Sequence, residues 1–256
     1  MKEAQRSVDC QRHQSEIQHN LLVWRKKRVL RAVYRDMHSR MAVHLSDLPN
    51  GITVELGSGI GNIKDVIPGC IKTDLFNNPW IDQVEDAYHL SFPSLSVANL
   101  LLMDVFHHLQ YPGNALCEFH RVLLPGGRLI ILEPCVSFLG LAVYGAFHRE
   151  PLGLYRDIQW YSKTNDDLER QSYYAAQGNA YRIFRHHRFR SHLGGWRQIE
   201  KKRMAAFAYV LSGGYSKPQL FPEGALPLIT KIEKLLNKAP LLFATRLLVV
   251  LEKRDA

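Results

Sequence analysis

The sequence predicts an α/β fold, a doubly wound, mostly parallel sheet, on two observations. Residues 53–56 form an apolar run carrying Glu55 that enters Gly57-x-Gly59-x-Gly61 directly, which reads as a buried strand, a tight turn and a helix start. Nineteen residues past Glu55, Ile71-Lys-Thr-Asp74 reads as a second short strand ending in a carboxylate, where this fold class holds a ribose diol. Glycine at alternate positions lets the backbone bend and lets main-chain N–H groups come against a ligand. The spacing argues against a dinucleotide: the G-x-G-x-x-G fingerprint needs its third glycine where Asn62 stands, and Gly61 comes one residue early.

With Glu55 leading the three glycines, the chain resembles the class I S-adenosylmethionine (SAM) methyltransferases, and is similar to their ubiquinone/menaquinone-type small-molecule members. Further segments carry the resemblance. Asp86-Ala87 followed by Leu90-Ser-Phe92 looks like the family's adenine-contacting D-A-x-x-L-P-F segment, with Ser91 in place of proline. Residues 97–109 look like the fourth strand and its D-x-x-H-H-L exit, and residues 121–134 like the R-V-L-K-P-G-G turn and fifth strand, with Leu124 in place of lysine. The resemblance implies a Rossmann-like doubly wound seven-stranded sheet of order 3-2-1-4-5-7-6 with strand 7 antiparallel, N-terminal helices, and a helical insert after strand 5. It also implies SAM as cofactor, held by Glu55, Gly57, Ser58, Gly59, Gly61, Asn62, Asp74, Leu75, Asp86, Ala87, Met103 and Asp104.

Taken in order, the 256 residues and 46% hydrophobic content allow one sizeable core, and the chain is read as a single methyltransferase domain over 1–256. Within it lie an N-terminal helical extension (1–50), a SAM-binding half (51–134), an acceptor cap or insert (135–200) and closing strands (201–256). Cys10, Cys70, Cys117 and Cys135 form no C-x-x-C pair, so neither a zinc knuckle nor a disulfide framework is expected; no metal site is assigned, and a cytoplasmic location fits. No apolar stretch is long enough to span a membrane. Residues 12–46 carry Leu22, Val29, Val33, Met37, Met41 and Leu45 at helical spacing, predicting one long or two short amphipathic helices that cover the site or pack on the sheet.

The insert opens on the apolar residues 134–147, expected over the strand ends as a pocket wall or a buried helix, with Tyr155, Trp160, Tyr161, Tyr173 and Tyr174 following. Residues 181–192 interleave aromatic and cationic side chains, a pattern of solvated amphipathic helices and of nucleic-acid or lipid-phosphate surfaces. The apolar runs 204–211 and 242–251 are expected to be strands six and seven, with a helix near 226–236 between them.

Methyl transfer needs alignment and desolvation more than side-chain chemistry, but a hydroxyl acceptor profits from a base. His107 and His108 at the exit of strand four, and His148 after strand five, are the candidates. The chain lacks the (N/D/S)-P-P-(Y/F/W) segment of adenine-N6 enzymes, a Pro-Cys nucleophile and a cysteine set for arsenite, so a small-molecule, lipid or glycan acceptor remains, apolar or anionic given the net charge of +9, methylated at oxygen. An RNA methyltransferase and a non-catalytic SAM-fold partner protein are the alternatives; peripheral membrane contact is compatible with the insert.

Overall fold

A computed structural model of the protein describes residues 2–146, 150–164 and 173–254, the side chains of 2–10 excepted. The N-terminal periodicity resolves into two helices, α1 (Lys2–Lys26) and α2 (Arg28–Ala42). They break at Lys27, whose backbone is extended and whose ammonium donates to the carbonyls of Ser212, Gly214 and Lys217 at 3.0, 2.7 and 2.5 Å. The apolar stripe of α2 is Val29, Leu30, Val33, Met37 and Met41, all buried.

The sheet contains β1 (Ile52–Leu56), β2 (Ile71–Asp74), β3 (Gln83–Val84), β4 (Val97–Met103), β5 (Leu123–Pro134), β6 (Trp196–Met204) and β7 (Arg246–Lys253). Their order is β3-β2-β1-β4-β5-β7-β6, as expected. The first five strands pair in parallel, while β7 runs antiparallel between β5 and β6. Strand β4 is buried almost throughout and β7 entirely, as central strands covered on both faces must be. Removing the Leu100, Leu101, Leu102, Ile130 and Ile131 side chains from water contributes about 1.5–3 kcal/mol apiece.

Two cores follow, one per face. On one, α2 meets Ile63, Ile67, Leu101, Ile130, Leu132 and Val250 together with α6 (Phe207–Ser212) and α7 (Leu226–Leu236). On the other, α3 (Pro112–Val122) and α5 (Asn179–Arg185) pack on Leu100, Leu102, Leu129 and Ile131. Gly113 is required there, since a Cβ would lie 2.3 Å from Trp160 Cδ1.

Three expectations are corrected. The sixth strand is the polar segment 196–204, not the apolar run 204–211, most of which is α6. An edge strand has one neighbour and solvent on its other side, so charged residues suit it; the apolar run closes as a helix capped by Gly213 in the left-handed region at φ 71°. The helix expected after β1 is one 3₁₀ turn, Asn62–Asp65, because Pro68-Gly69 cuts it off and β2 begins at Ile71. Residues 181–192 are not one amphipathic helix but the end of α5 and a 3₁₀ segment, His187–Leu193.

Candidate active site

The carboxyl ends of β1, β2, β4 and β5 face one cavity of about 450 Å³. Parallel strands end there together because their crossovers all return at the opposite edge, so the ligand crevice of an open α/β sheet is a consequence of topology. Its floor begins at the glycine turn. Gly57, Gly59 and Gly61 have φ of 68°, 54° and 68°, a region costly for any residue with a Cβ. A Cβ at Gly57 would lie 2.3 Å from Val105 Cγ2, and one at Gly61 2.5 Å from the Trp80 carbonyl. Hydrogen bonds from Ser58 N to the Thr73 carbonyl (2.8 Å) and from Thr73 Oγ1 to the Glu55 carbonyl (2.9 Å) lock this turn to β2.

Of the expected cofactor residues, Glu55, Gly57, Ser58, Gly59, Asn62, Asp74, Leu75, Asp86, Ala87, Met103 and Asp104 all line this cavity. Gly61 does not; it is the hinge of the turn. Asp74 accepts from the Gly59 amide at 2.9 Å and the Leu75 amide at 2.7 Å, with His13 Nε2 3.5 Å away. Burial pushes its carboxyl up against the opposing pull of His13 and the amides. Asp86 accepts from the Tyr88 amide at 2.9 Å through Oδ1. Glu55 Oε1 lies 3.5 Å from His38 Nε2, while its Oε2 is buried with no hydrogen-bond partner among the described residues. A buried, unpaired carboxylate oxygen costs free energy unless a ligand supplies a donor. Gly59 faces the roof, where an added Cβ would meet only Ile17 Cδ1 at 3.6 Å. These features fit a cationic, hydroxyl-rich ligand such as SAM.

Helix α1 roofs the cavity with Arg12, His13, Glu16, Ile17 and Asn20. The N-terminal extension thus covers the site, while α2 packs on the sheet, so both expectations hold for different helices. At the far end Asp104, at φ 58°, pairs with the buried Arg246 of β7, whose guanidinium lies 4.3 Å from the Tyr209 ring centre.

The histidines lie at the mouth. His107 is buried, its Nδ1 2.6 Å from Glu133 Oε2 and its Nε2 3.3 Å from Glu150 Oε2. Burial disfavours its charge, but the Glu133 charge and the hydrogen bonds to both carboxylates prevail and hold it at about 10. An imidazolium has no lone pair with which to accept a proton, which favours His108 over His107 as the candidate base. Burial and the neighbouring His107 push His108 down to about 4, leaving it neutral near pH 7. Its Nδ1 donates to the Tyr174 carbonyl at 2.9 Å, which fixes the tautomer and leaves a lone pair on Nε2, 3.8 Å from Glu150 Oε1. Glu150 also accepts from Gln177 Nε2 at 3.0 Å and from the Tyr173 hydroxyl. The hydrogen bond and charge of His107 hold its carboxyl well below the usual range despite burial. His148 lies outside the described residues.

The insert divides. Tyr144, on α4 (Phe138–Ala146), lines the cavity with Tyr173 and Tyr174, whereas Trp160 is in the α3 core, stacked on Phe189, and Tyr155 and Tyr161 are exposed. Sequence reasoning missed Glu133, Glu150, His13 and Arg246. Only Glu133 carried a signal, an acid closing the apolar run 129–132 of β5.

Comparison with known proteins agrees with this fold. The methyltransferase-domain family matches residues 66–131. A SAM-dependent methyltransferase of Thermotoga maritima, described as a possible histamine N-methyltransferase, superposes at a TM-score of 0.51 with 14% identity, covering 94% of this chain and 99% of that one. A SAM-dependent methyltransferase of Archaeoglobus fulgidus gives 0.51 and 12% over 87% and 94%. A probable polyketide synthase of Dictyostelium discoideum is 23% identical over 92 residues, 36% of this chain; the match spans only 3% of that protein's length. Among the described residues no helix is long and apolar enough to cross a membrane. The matched domain and the seven-strand order around it give the chain the fold of the class I SAM-dependent methyltransferases.

Proposed function

We propose that the chain methylates a small-molecule acceptor at a hydroxyl oxygen within this cavity, using SAM. The observation that carries the reading is the roofed cavity: α1 and residues 173–177 close over the strand ends, and about 450 Å³ falls within the range of small-ligand sites. Bound SAM supplies a methyl group activated by its sulfonium. The residues here bind, align and exclude water, which is most of what an in-line displacement requires. In this reading Asp74 and Asp86 accept from the ribose diol and the adenine amino group, and Glu55 Oε2 accepts from a cationic N–H. Helix α1 then keeps the reactants dry, and the acceptor hydroxyl is activated beside the neutral His108 Nε2.

The RNA alternative needs aromatic platforms and free cations on the 181–192 surface. Arg185, Arg188 and Arg190 stay exposed, but Phe189 is buried on Trp160, and Arg182 turns inward to the carbonyls of Gly153 and Arg156 at 2.7 and 2.6 Å. These observations favour the small-molecule reading.

The test is a thermal-shift titration with S-adenosylhomocysteine, followed by radiolabelled-methyl transfer to panels of hydroxylated, amine and RNA acceptors. At a hundred times the dissociation constant the ligand should stabilise the fold by about 2.7 kcal/mol, with label entering hydroxyl compounds. No stabilisation would overturn the cofactor assignment; label in RNA or in amines alone would overturn the acceptor class.

A further inference from the structure

We propose that His107, His108 and Glu150 form a binding site for a divalent transition-metal cation of the zinc type, placed to ligate the acceptor hydroxyl. The proposal deepens the reading of this cavity as a methyl-transfer site and rests on it only for the metal's role.

The ligand atoms of the three residues lie within 4.8 Å of one another. Both Nε2 atoms approach one carboxylate, His107 at 3.3 Å from Oε2 and His108 at 3.8 Å from Oε1, with ring centres 4.1 Å apart. Nitrogen and oxygen ligands at about 2.0–2.2 Å from one tetrahedral cation lie roughly 3.3–3.6 Å from each other, so small side-chain movements bring these atoms into a coordination shell.

The outer contacts are those a metal site needs. Each imidazole commits its Nδ1 to an acceptor, His107 to Glu133 at 2.6 Å and His108 to the Tyr174 carbonyl at 2.9 Å. Such partners orient the rings; His108 offers its Nε2 lone pair directly, while a cation at His107 Nε2 displaces the proton shared with Glu150, so binding releases that proton to solvent. Gln177 Nε2 and the Tyr173 hydroxyl hold the Glu150 carboxylate in turn. A structural ion pair would account for His107, which Glu133 already satisfies. It does not account for a second histidine presenting a bare nitrogen to the same carboxylate.

A neighbouring group, Asp104, His107 and Glu133, is also close enough to be considered. Its carboxylates are committed elsewhere: Glu133 Oε1 accepts from the Val105 and Phe106 amides at 2.9 and 2.6 Å, and Asp104 pairs with Arg246. The first set instead lines the cavity, so three protein ligands leave a position open to a substrate, the pattern of catalytic zinc sites. Two imidazoles and one carboxylate favour zinc-type cations over magnesium or calcium, which prefer oxygen ligands throughout.

A cation there lowers the pKa of a ligated hydroxyl. The O–H bond breaks and the proton passes to solvent. The oxygen lone pair then forms the bond to the methyl carbon, the carbon–sulfur bond breaks with its electrons left on sulfur, and a neutral thioether departs.

The experiment is a Co²⁺ titration of the purified full chain without SAM, followed by visible d–d absorption and displaced with Zn²⁺. A single saturable site is expected, with Glu150→Gln and His108→Ala each weakening it by at least about 10-fold while circular dichroism confirms that both variants fold. Absence of a cobalt spectrum in the wild-type chain, or wild-type affinity in both folded variants, would overturn the proposal. Because the titration omits SAM, its failure is separable from failure of the methyl-transfer reading: stabilisation by S-adenosylhomocysteine without cobalt binding would leave His108 as a metal-free base.

Discussion

The two halves of the cavity are built by different means. The half expected to hold the cofactor, from β1 to β4, is made of backbone: three left-handed glycines, strand ends in parallel register, and carboxylates that accept from amides one to fifteen residues away. The mouth is made of side chains meeting side chains. His107 reaches Glu133 and Glu150, which are 26 and 43 residues distant, and His108 reaches the Tyr174 carbonyl 66 residues away. Backbone devices tolerate drift in their surroundings, whereas a side-chain network stands or falls with each member.

The sharpest test of that contrast is Glu133→Gln. Glu133 is fully buried and serves two backbone amides and His107 at once. Neutralising it leaves the His107 charge facing only Glu150, and breaking a buried pair from one side costs about 3–5 kcal/mol. Denaturant unfolding should show a loss of that size. A loss below about 1 kcal/mol would mean the mouth does not depend on its network.

The corresponding change in the other half is Asp74→Ala, which removes the acceptor of the Gly59 amide and the proposed ribose partner. Affinity for S-adenosylhomocysteine should fall by about 100-fold, or roughly 2.7 kcal/mol, with a smaller stability loss, read by isothermal calorimetry and thermal melting. Asp74→Asn should recover part of it, since an amide oxygen still accepts. Unchanged affinity in Asp74→Ala would remove the resemblance's central residue from the site.

This division also explains what the sequence made legible. Gly57-x-Gly59-x-Gly61 and Asp74 are local signals, because the turn and the strand end that need them lie within a few residues. The glycine turn, β2, β4 and β5 could be placed for that reason. Strand β6 could not, since its residues are polar and it earns strand geometry only by pairing with β7. The partners of His107 and His108 were illegible because no spacing rule links a strand exit to a loop after the next strand, and the roofing role of α1 was one of two readings that its periodicity allowed equally.

The roof gives a smaller effect. Lys27 ties the α1–α2 break to the carbonyls of Ser212, Gly214 and Lys217, and Lys27→Met removes all three bonds while keeping the aliphatic stem. Net loss should be about 1 kcal/mol, since the Lys217 carbonyl recovers water and relief of the ammonium's desolvation offsets the stranding of the buried Ser212 and Gly214 carbonyls. Amide exchange along α1 should accelerate by about 5-fold, as that free energy implies, with β4 unchanged. Equal acceleration in β4 would show that the roof is part of the cooperative core rather than a cover on it.

The smallest effect compares thiols. Cys135, at the end of β5, is fully buried and its pKa is pushed up to about 12, chiefly by burial, while Cys70 is buried beside Glu55 and Asp82, which raise it further still. Cys117 sits exposed on α3. Only the thiolate reacts with an alkylating agent, so in the folded protein at pH 8 iodoacetamide should label Cys117 well ahead of the other two, as peptide mass spectrometry would show. Stabilisation by S-adenosylhomocysteine should survive that label, because Cys117 does not line the cavity. Early labelling of Cys135 would mean that the end of β5, and with it the ground on which Glu133 stands, opens on the timescale of the reaction.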